Sequence, residues 1–96
     1  MPGGKVAGKI VSTTEAGNLV TDITAEQLRA APRDEQTTIH CDEHETRGLF
    51  TSDHQEPAFT FLALLNADNH LELTIVGESA RDMLGLRPGM DVVVQW

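Results

Sequence analysis

Residues 5–23 read KVAGKIVSTTEAGNLVTDI, two runs rich in valine and isoleucine on either side of a cluster of turn formers. The first run, residues 5–12, alternates loosely and is β-branched, as a strand requires. TTEAGN then breaks the pattern, and Gly17-Asn18 can take the positive φ of a tight turn. NLVTDI resumes as a strand, with Leu19, Thr21 and Ile23 on one face and Val20 and Asp22 on the other. The opening is therefore strand, turn, strand.

Outward from this hairpin the same signals recur. In TAEQLRAAP, Thr24 and Gln27 are spaced as a capping box, alanine and leucine favour helix, and Pro32 ends it. A short helix is predicted over residues 25–31, with Ile23 stapled onto Leu28. QTTIHC and TRGLFT read as strands, and PAFTFLALLN, the most apolar segment, as the central core strand. NADNH is a turn, and LELTIV is a strand with Leu71, Leu73 and Ile75 facing one way and Glu72 and Thr74 the other. GESARDMLGL predicts a second short helix over residues 79–84, with Gly85 ending it in the left-handed conformation. RPGM suits a type II turn, and DVVVQW closes the chain as a strand. The expectation is a mostly β fold, a small antiparallel β-barrel-like domain with two short helices. Closure would cover the edges that VVV and FTFLALL would otherwise expose. All 96 residues form one domain, with residues 1–4 as a loose end.

The totals exclude several function classes. A net charge of −8, with seven Lys and Arg scattered along the chain, predicts neither a nucleic-acid partner nor an anionic membrane surface. No apolar run approaches the roughly 18 residues of a membrane span, and MPGGKVAGKIV lacks the apolar core of a signal peptide. A lone cysteine permits no internal disulfide and fits a reducing compartment, so a cytoplasmic location is expected.

Metal chemistry would have to come from HCDEHETRG, residues 40–48. Zinc needs three or four converging ligands. His40 and Cys41 are adjacent on a predicted strand and point to opposite faces, and His40 and His44 are close neighbours only on a helix, which TTIHC disfavours. Across a hairpin they could still approach, with His54 or His70 completing a set. His40, Cys41 and His44 thus stand as metal candidates, while the expectation is a solvated hairpin tip and no cofactor. Asp42 and Glu43 raise the pKa of the Cys41 thiol, which favours a packed cysteine over a nucleophile. Ser79 is placed to cap a helix, the acids Asp42, Glu43, Asp53 and Glu56 lie in loops, and Trp96 covers a barrel end or a subunit contact. No residue is assigned a catalytic role.

GKIVSTTEAGNLVTDI together with NADNHLELTIVGESARDMLGLRPGMDVVV resembles the C-terminal domain of the S-adenosylmethionine hydroxide adenosyltransferases, whose relatives include fluorinating and chlorinating enzymes. That domain opens with a Gly-Lys-Val strand, an Ile-Asp-x-Phe-Gly-Asn turn and a Leu-x-Thr-Asn-Ile strand. It closes with an Asn-Ser-x-Gly turn, a Leu-Glu-Ile-Ala strand and a Gly-Ser-Ala…Leu-Gly-Leu…Gly-Asp-x-Val end. The resemblance covers nearly the whole chain, with a looser match around residues 33–57. It implies the barrel-like fold. It also implies a trimer in which S-adenosylmethionine sits between this domain and a larger α/β domain that supplies the residues associated with activating water. The sequence carries no counterpart of that larger domain. By resemblance, Gly17, Asn18 and Asn66 retain ligand-binding positions, and an Asn amide can pair with an adenine edge. The family's turn aspartate falls at Thr14 or Thr13, its aromatic at Ala16, its serine at Ala67 and a further contact at Asp68. The expectation is a non-enzymatic binding or assembly module with the pocket largely lost, partnered by a second copy or a separate protein domain. The alternative is half of a nucleoside site completed by a separately encoded catalytic domain.

Overall fold

Strand β1 (Lys5–Thr13) belongs to two ladders at once in the computed structural model, which describes residues 4–51 and 55–96. Its first half pairs antiparallel with β8 (Asp91–Gln95), and from Ile10 onward it pairs antiparallel with β2 (Leu19–Thr24). A register shift between Ile10 and Ser12 marks the change of partner. Such an irregularity bends a strand and sharpens its twist, which is what a closing sheet needs. Below the bend the Lys9 N–H is bound by the Asp22 carboxylate at 2.9 Å instead of by backbone.

Around this hinge the strands run in the order β4-β3-β8-β1-β2-β7-β6-β5. They comprise β3 (Thr38–Cys41), β4 (His44–Arg47), β5 (Leu49–Thr51), β6 (Phe61–Leu65) and β7 (His70–Ile75). The result is a nearly closed barrel-shaped sheet, as expected. β4 and β5 stand at opposite ends of the order yet are consecutive in sequence, so the chain itself bridges the gap at Gly48, φ +89°. The Thr46 hydroxyl donates to the Phe61 carbonyl across it at 2.9 Å.

Four details correct the sequence reading. TRGLFT is two strands, because the left-handed Gly48 turns the chain between them. β5 pairs with β6 in parallel, so the sheet is not wholly antiparallel. In PAFTFLALLN only Phe61–Leu65 is strand, and it lies second from an end of the order rather than at the centre. Among the described residues α1 (Ala80–Leu84) is the only helix. Residues 25–31 form turns held by three-residue steps, Leu28 N–H to Ala25 O and Ala31 N–H to Leu28 O. The capping box does form, with Thr24 N–H on the Gln27 side chain and Gln27 N–H on the Thr24 hydroxyl. Seven residues before Pro32 are too few to offset the cost of helix nucleation.

The core expected from β2 is present: Leu19, Thr21 and Ile23 are buried, and the Thr21 hydroxyl donates to the Leu71 carbonyl. Leu28 joins the same cluster as Ile23. Ser79 caps α1 and Gly85 ends it at φ +69°. Gly4, expected to be loose, exchanges two 3.0 Å backbone hydrogen bonds with Trp96, whose ring packs on the core. Residues 1–3 lie outside the described residues. Among the described residues no helix is long and apolar enough to cross a membrane.

Candidate functional site

Two hairpin loops share one geometry. In the first, Thr14 N–H bonds Asn18 O, Gly17 N–H bonds Thr14 O, and the Thr14 hydroxyl accepts from Asn18 N–H. In the second, Asn66 N–H bonds His70 O, Asn69 N–H bonds Asn66 O, and the Asn66 side chain accepts from His70 N–H. Each is a three-residue loop whose last residue is left-handed, Gly17 at φ +87° and Asn69 at φ +64°.

Glu72 lies between them. Its residue is 9% exposed, and its two carboxylate oxygens take one amide each, from Asn18 at 2.9 Å and from Asn66 at 3.1 Å. Thr74, also buried, donates its hydroxyl to the Asn18 side-chain oxygen at 2.6 Å. Two of the residues singled out by resemblance, Asn18 and Asn66, are thus brought to one carboxylate, and Gly17 closes the loop that carries Asn18. Glu72 and Thr74, which complete the network, lie on the strand face opposite Leu71, Leu73 and Ile75, and the sequence reading assigns them no part in the site. The signal was present: Glu72 sits opposite Val20 on one side and Leu64 on the other, an apolar setting in which a carboxylate needs donors.

The first loop also touches α1. A Cβ on Gly17 would lie 1.9 Å from the Ser79 hydroxyl, and Arg81 N–H bonds the Gly17 carbonyl at 2.8 Å. Beside this junction opens a cleft of about 490 Å³ lined by Ala16, Asn18, Thr74, Ile75, Gly77, Glu78 and Ser79. Asn18 keeps one amide hydrogen and one lone pair beyond its bonds to Glu72 and Thr74. Thr14 serves the loop backbone, while Ala67 and Asp68 are exposed on the second loop.

HCDEHETRG is a hairpin, as expected. Cys41 pairs with His44 across Asp42 and Glu43, and Asp42 takes φ +56°. The candidate ligands diverge. Cys41 is buried in the core, His40 faces Glu45 at 3.4 Å, and His44 Nε2 lies 3.1 Å from the Leu84 carbonyl at the end of α1. Among the described residues no three His, Cys, Asp or Glu side chains are grouped to hold a metal. Asp53 and His54 lie outside the described residues.

Burial, with the Asp42 and Asp91 carboxylates adding to it, pushes the Cys41 thiol from 9.0 up to about 11. The folded value exceeds the unfolded one, so the stabilising contribution is complete below pH 9 and is lost as pH rises towards 11. That contribution is up to about 2–3 kcal/mol. In chemical denaturation the wild type should lose stability over this alkaline range more steeply than Cys41→Ala. Equal slopes would remove the argument.

Residues 8–93 match the family described as SAM hydroxide adenosyltransferase C-terminal domain. No curated protein matches the chain. Two crystal structures share its fold. One is an uncharacterized conserved protein from Thermotoga maritima, with TM-score 0.76 and 16% identity over 94% of this chain and 35% of that one. The other is a conserved hypothetical protein from Thermus thermophilus, with TM-score 0.72 and 24% identity over 92% of this chain and 34% of that one. The chain therefore spans about a third of each of these proteins.

Proposed function

The chain belongs to the family of SAM hydroxide adenosyltransferase C-terminal domains, and we propose that within it this chain is a non-enzymatic binding or assembly module. The carrying observation is the network around Glu72: both asparagines kept at family ligand positions direct an amide N–H to a buried carboxylate. Their work is to tie two hairpin loops together. Ala16 offers no ring to a base, and Thr14 cannot receive a cationic amine as a carboxylate does. The partner is a second copy or a separate protein domain in the cytoplasm, and the charge of −8 opposes nucleic acid and anionic membranes.

A lost charge-assisted contact costs about 1.5–3 kcal/mol and a lost aromatic stack about 0.5–1.5. Together such losses weaken a micromolar site by a hundredfold or more. In an NMR titration of the isolated chain with adenosine or S-adenosylmethionine, no saturable shift is expected below about millimolar ligand. Micromolar, saturable shifts at Gly17, Asn18 and Asn66 would instead support the second reading, half of a nucleoside site completed by a separately encoded catalytic domain. That reading draws on the cleft beside Asn18.

A further inference from the structure

We infer that the cleft beside Gly77 takes a small organic cation of the alkylammonium type, with Glu78 as its countercharge and the Phe59 ring as its cover; the inference rests on the binding-module reading above. Glu78 lines the cleft, and among the described residues its carboxylate has no ion-pair or hydrogen-bond partner. None of the lining residues is basic. The other polar groups are already partly engaged: Thr74 donates to the Asn18 side-chain oxygen, and the Ser79 hydroxyl accepts from Asp82 N–H. Ala16 and Ile75 supply apolar wall, and a volume of about 490 Å³ is that of a small ligand cleft. A neutral base gains nothing from the free carboxylate, whereas a cation does.

Phe59 is the second element. It is 68% exposed, and its backbone is left-handed at φ +69°, strained for a bulky residue and free for glycine. The turn is held at the cleft's rim. Phe59 N–H bonds Val76 O at 2.8 Å, Val76 N–H bonds Thr60 O at 3.0 Å, and Ala58 stands 3.9 Å from where a Gly77 Cβ would be. No burial of the ring offsets the strain, and backbone outliers of this kind persist at ligand clamps. An ammonium is drawn to the negative face of an aromatic ring, so a ring and a free carboxylate at one apolar cleft suit a cation. The net charge of −8 adds a field that favours cations over anions. Gly77 and Glu78 are both exposed, so the attraction is screened. Binding should therefore be weak and should weaken further as salt is added.

Choline and its neutral isostere 3,3-dimethyl-1-butanol separate charge from shape. In NMR titrations of the full chain at fixed ionic strength, choline should give saturable shifts at Asn18, Gly77, Glu78 and Ser79. Its dissociation constant should be about 1–10 mM, at least about threefold tighter than that of the isostere. Glu78→Gln should weaken choline about threefold and leave the isostere unchanged. Glu35→Gln, an equal loss of charge at an exposed turn that does not line the cleft, should change neither. Phe59→Leu keeps an apolar side chain without a ring and should lower choline affinity about two- to fivefold. Phe59→Gly should lower it as well while melting a few degrees higher, which separates the loss of the ring from any loss of the fold. Equal affinity for choline and the isostere, no saturation by about 50 mM, or equal losses in Glu78→Gln and Glu35→Gln would overturn the site. A failure of choline overturns this inference alone, whereas micromolar binding of adenosine, which is neutral, overturns the reading beneath it.

Discussion

Gly17→Ala is expected to destabilise the domain by about 2–4 kcal/mol, from two costs that act together. The backbone at Gly17 has φ +87°, where a side chain adds strain of about 1–3 kcal/mol. The new Cβ would also fall 1.9 Å from the Ser79 hydroxyl, 2.5 Å from the Ser79 Cβ and 2.9 Å from the Ser79 Cα. The last of these is main chain, so no rotamer change relieves it. Nor can the loop retreat cheaply, because Arg81 N–H is bonded to the Gly17 carbonyl and Ser79 caps α1 through Asp82 N–H. Gly85→Ala is the control: it shares the left-handed backbone at φ +69° but meets nothing within 4 Å. Urea denaturation should show Gly17→Ala as clearly the worse of the two. Equal losses would mean that the loop and α1 are not in contact in solution.

What the sequence could show of this domain was mostly local. The first hairpin, the Ser79 and Gly85 caps and the Arg87–Met90 turn follow from residues whose backbone preferences are strong. Gly89 indeed sits at φ +97°, with Met90 N–H on Arg87 O. Most of the differences have another cause, in that tertiary context overrides a local pattern. TRGLFT reads as one strand, but the barrel uses Gly48 to send the chain from one end of the sheet order to the other. Phe59 sits in a strand-like run yet occupies a position that suits glycine. Residues 25–31 carry a helix start without the length to propagate one. Alternation places Glu72 and Thr74 opposite Leu71, Leu73 and Ile75 without saying what covers either face, and the residues from Leu71 to Ile75 are buried on both sides. Alternation alone does not show whether a second layer covers a strand.

Glu72 is also where the candidate site can be tested as a unit. Glu72→Ala removes the acceptor for two amide groups 48 positions apart in sequence, those of Asn18 and Asn66. Hydrogen bonds to a charged group are worth about 1.5–3 kcal/mol each, but both asparagines are half-buried and water can reach part of what is lost. A net loss of about 3–4 kcal/mol is expected, a large fraction of the stability of so small a domain. Glu72→Gln should cost less, about 1–2 kcal/mol, because its single carbonyl can serve one asparagine while its NH₂ opposes the other. The stronger test is coupling. If Glu72 ties both loops, Asn18→Ala and Asn66→Ala should each be markedly cheaper in a Glu72→Ala background than in the wild type. Hydrogen exchange should agree, with the bonded amides Gly17 and Asn18 in one loop and Asn69 and His70 in the other losing protection together. If the substitutions instead add independently to within about 0.5 kcal/mol, the two loops are separate hairpins and no single carboxylate organises this end of the barrel.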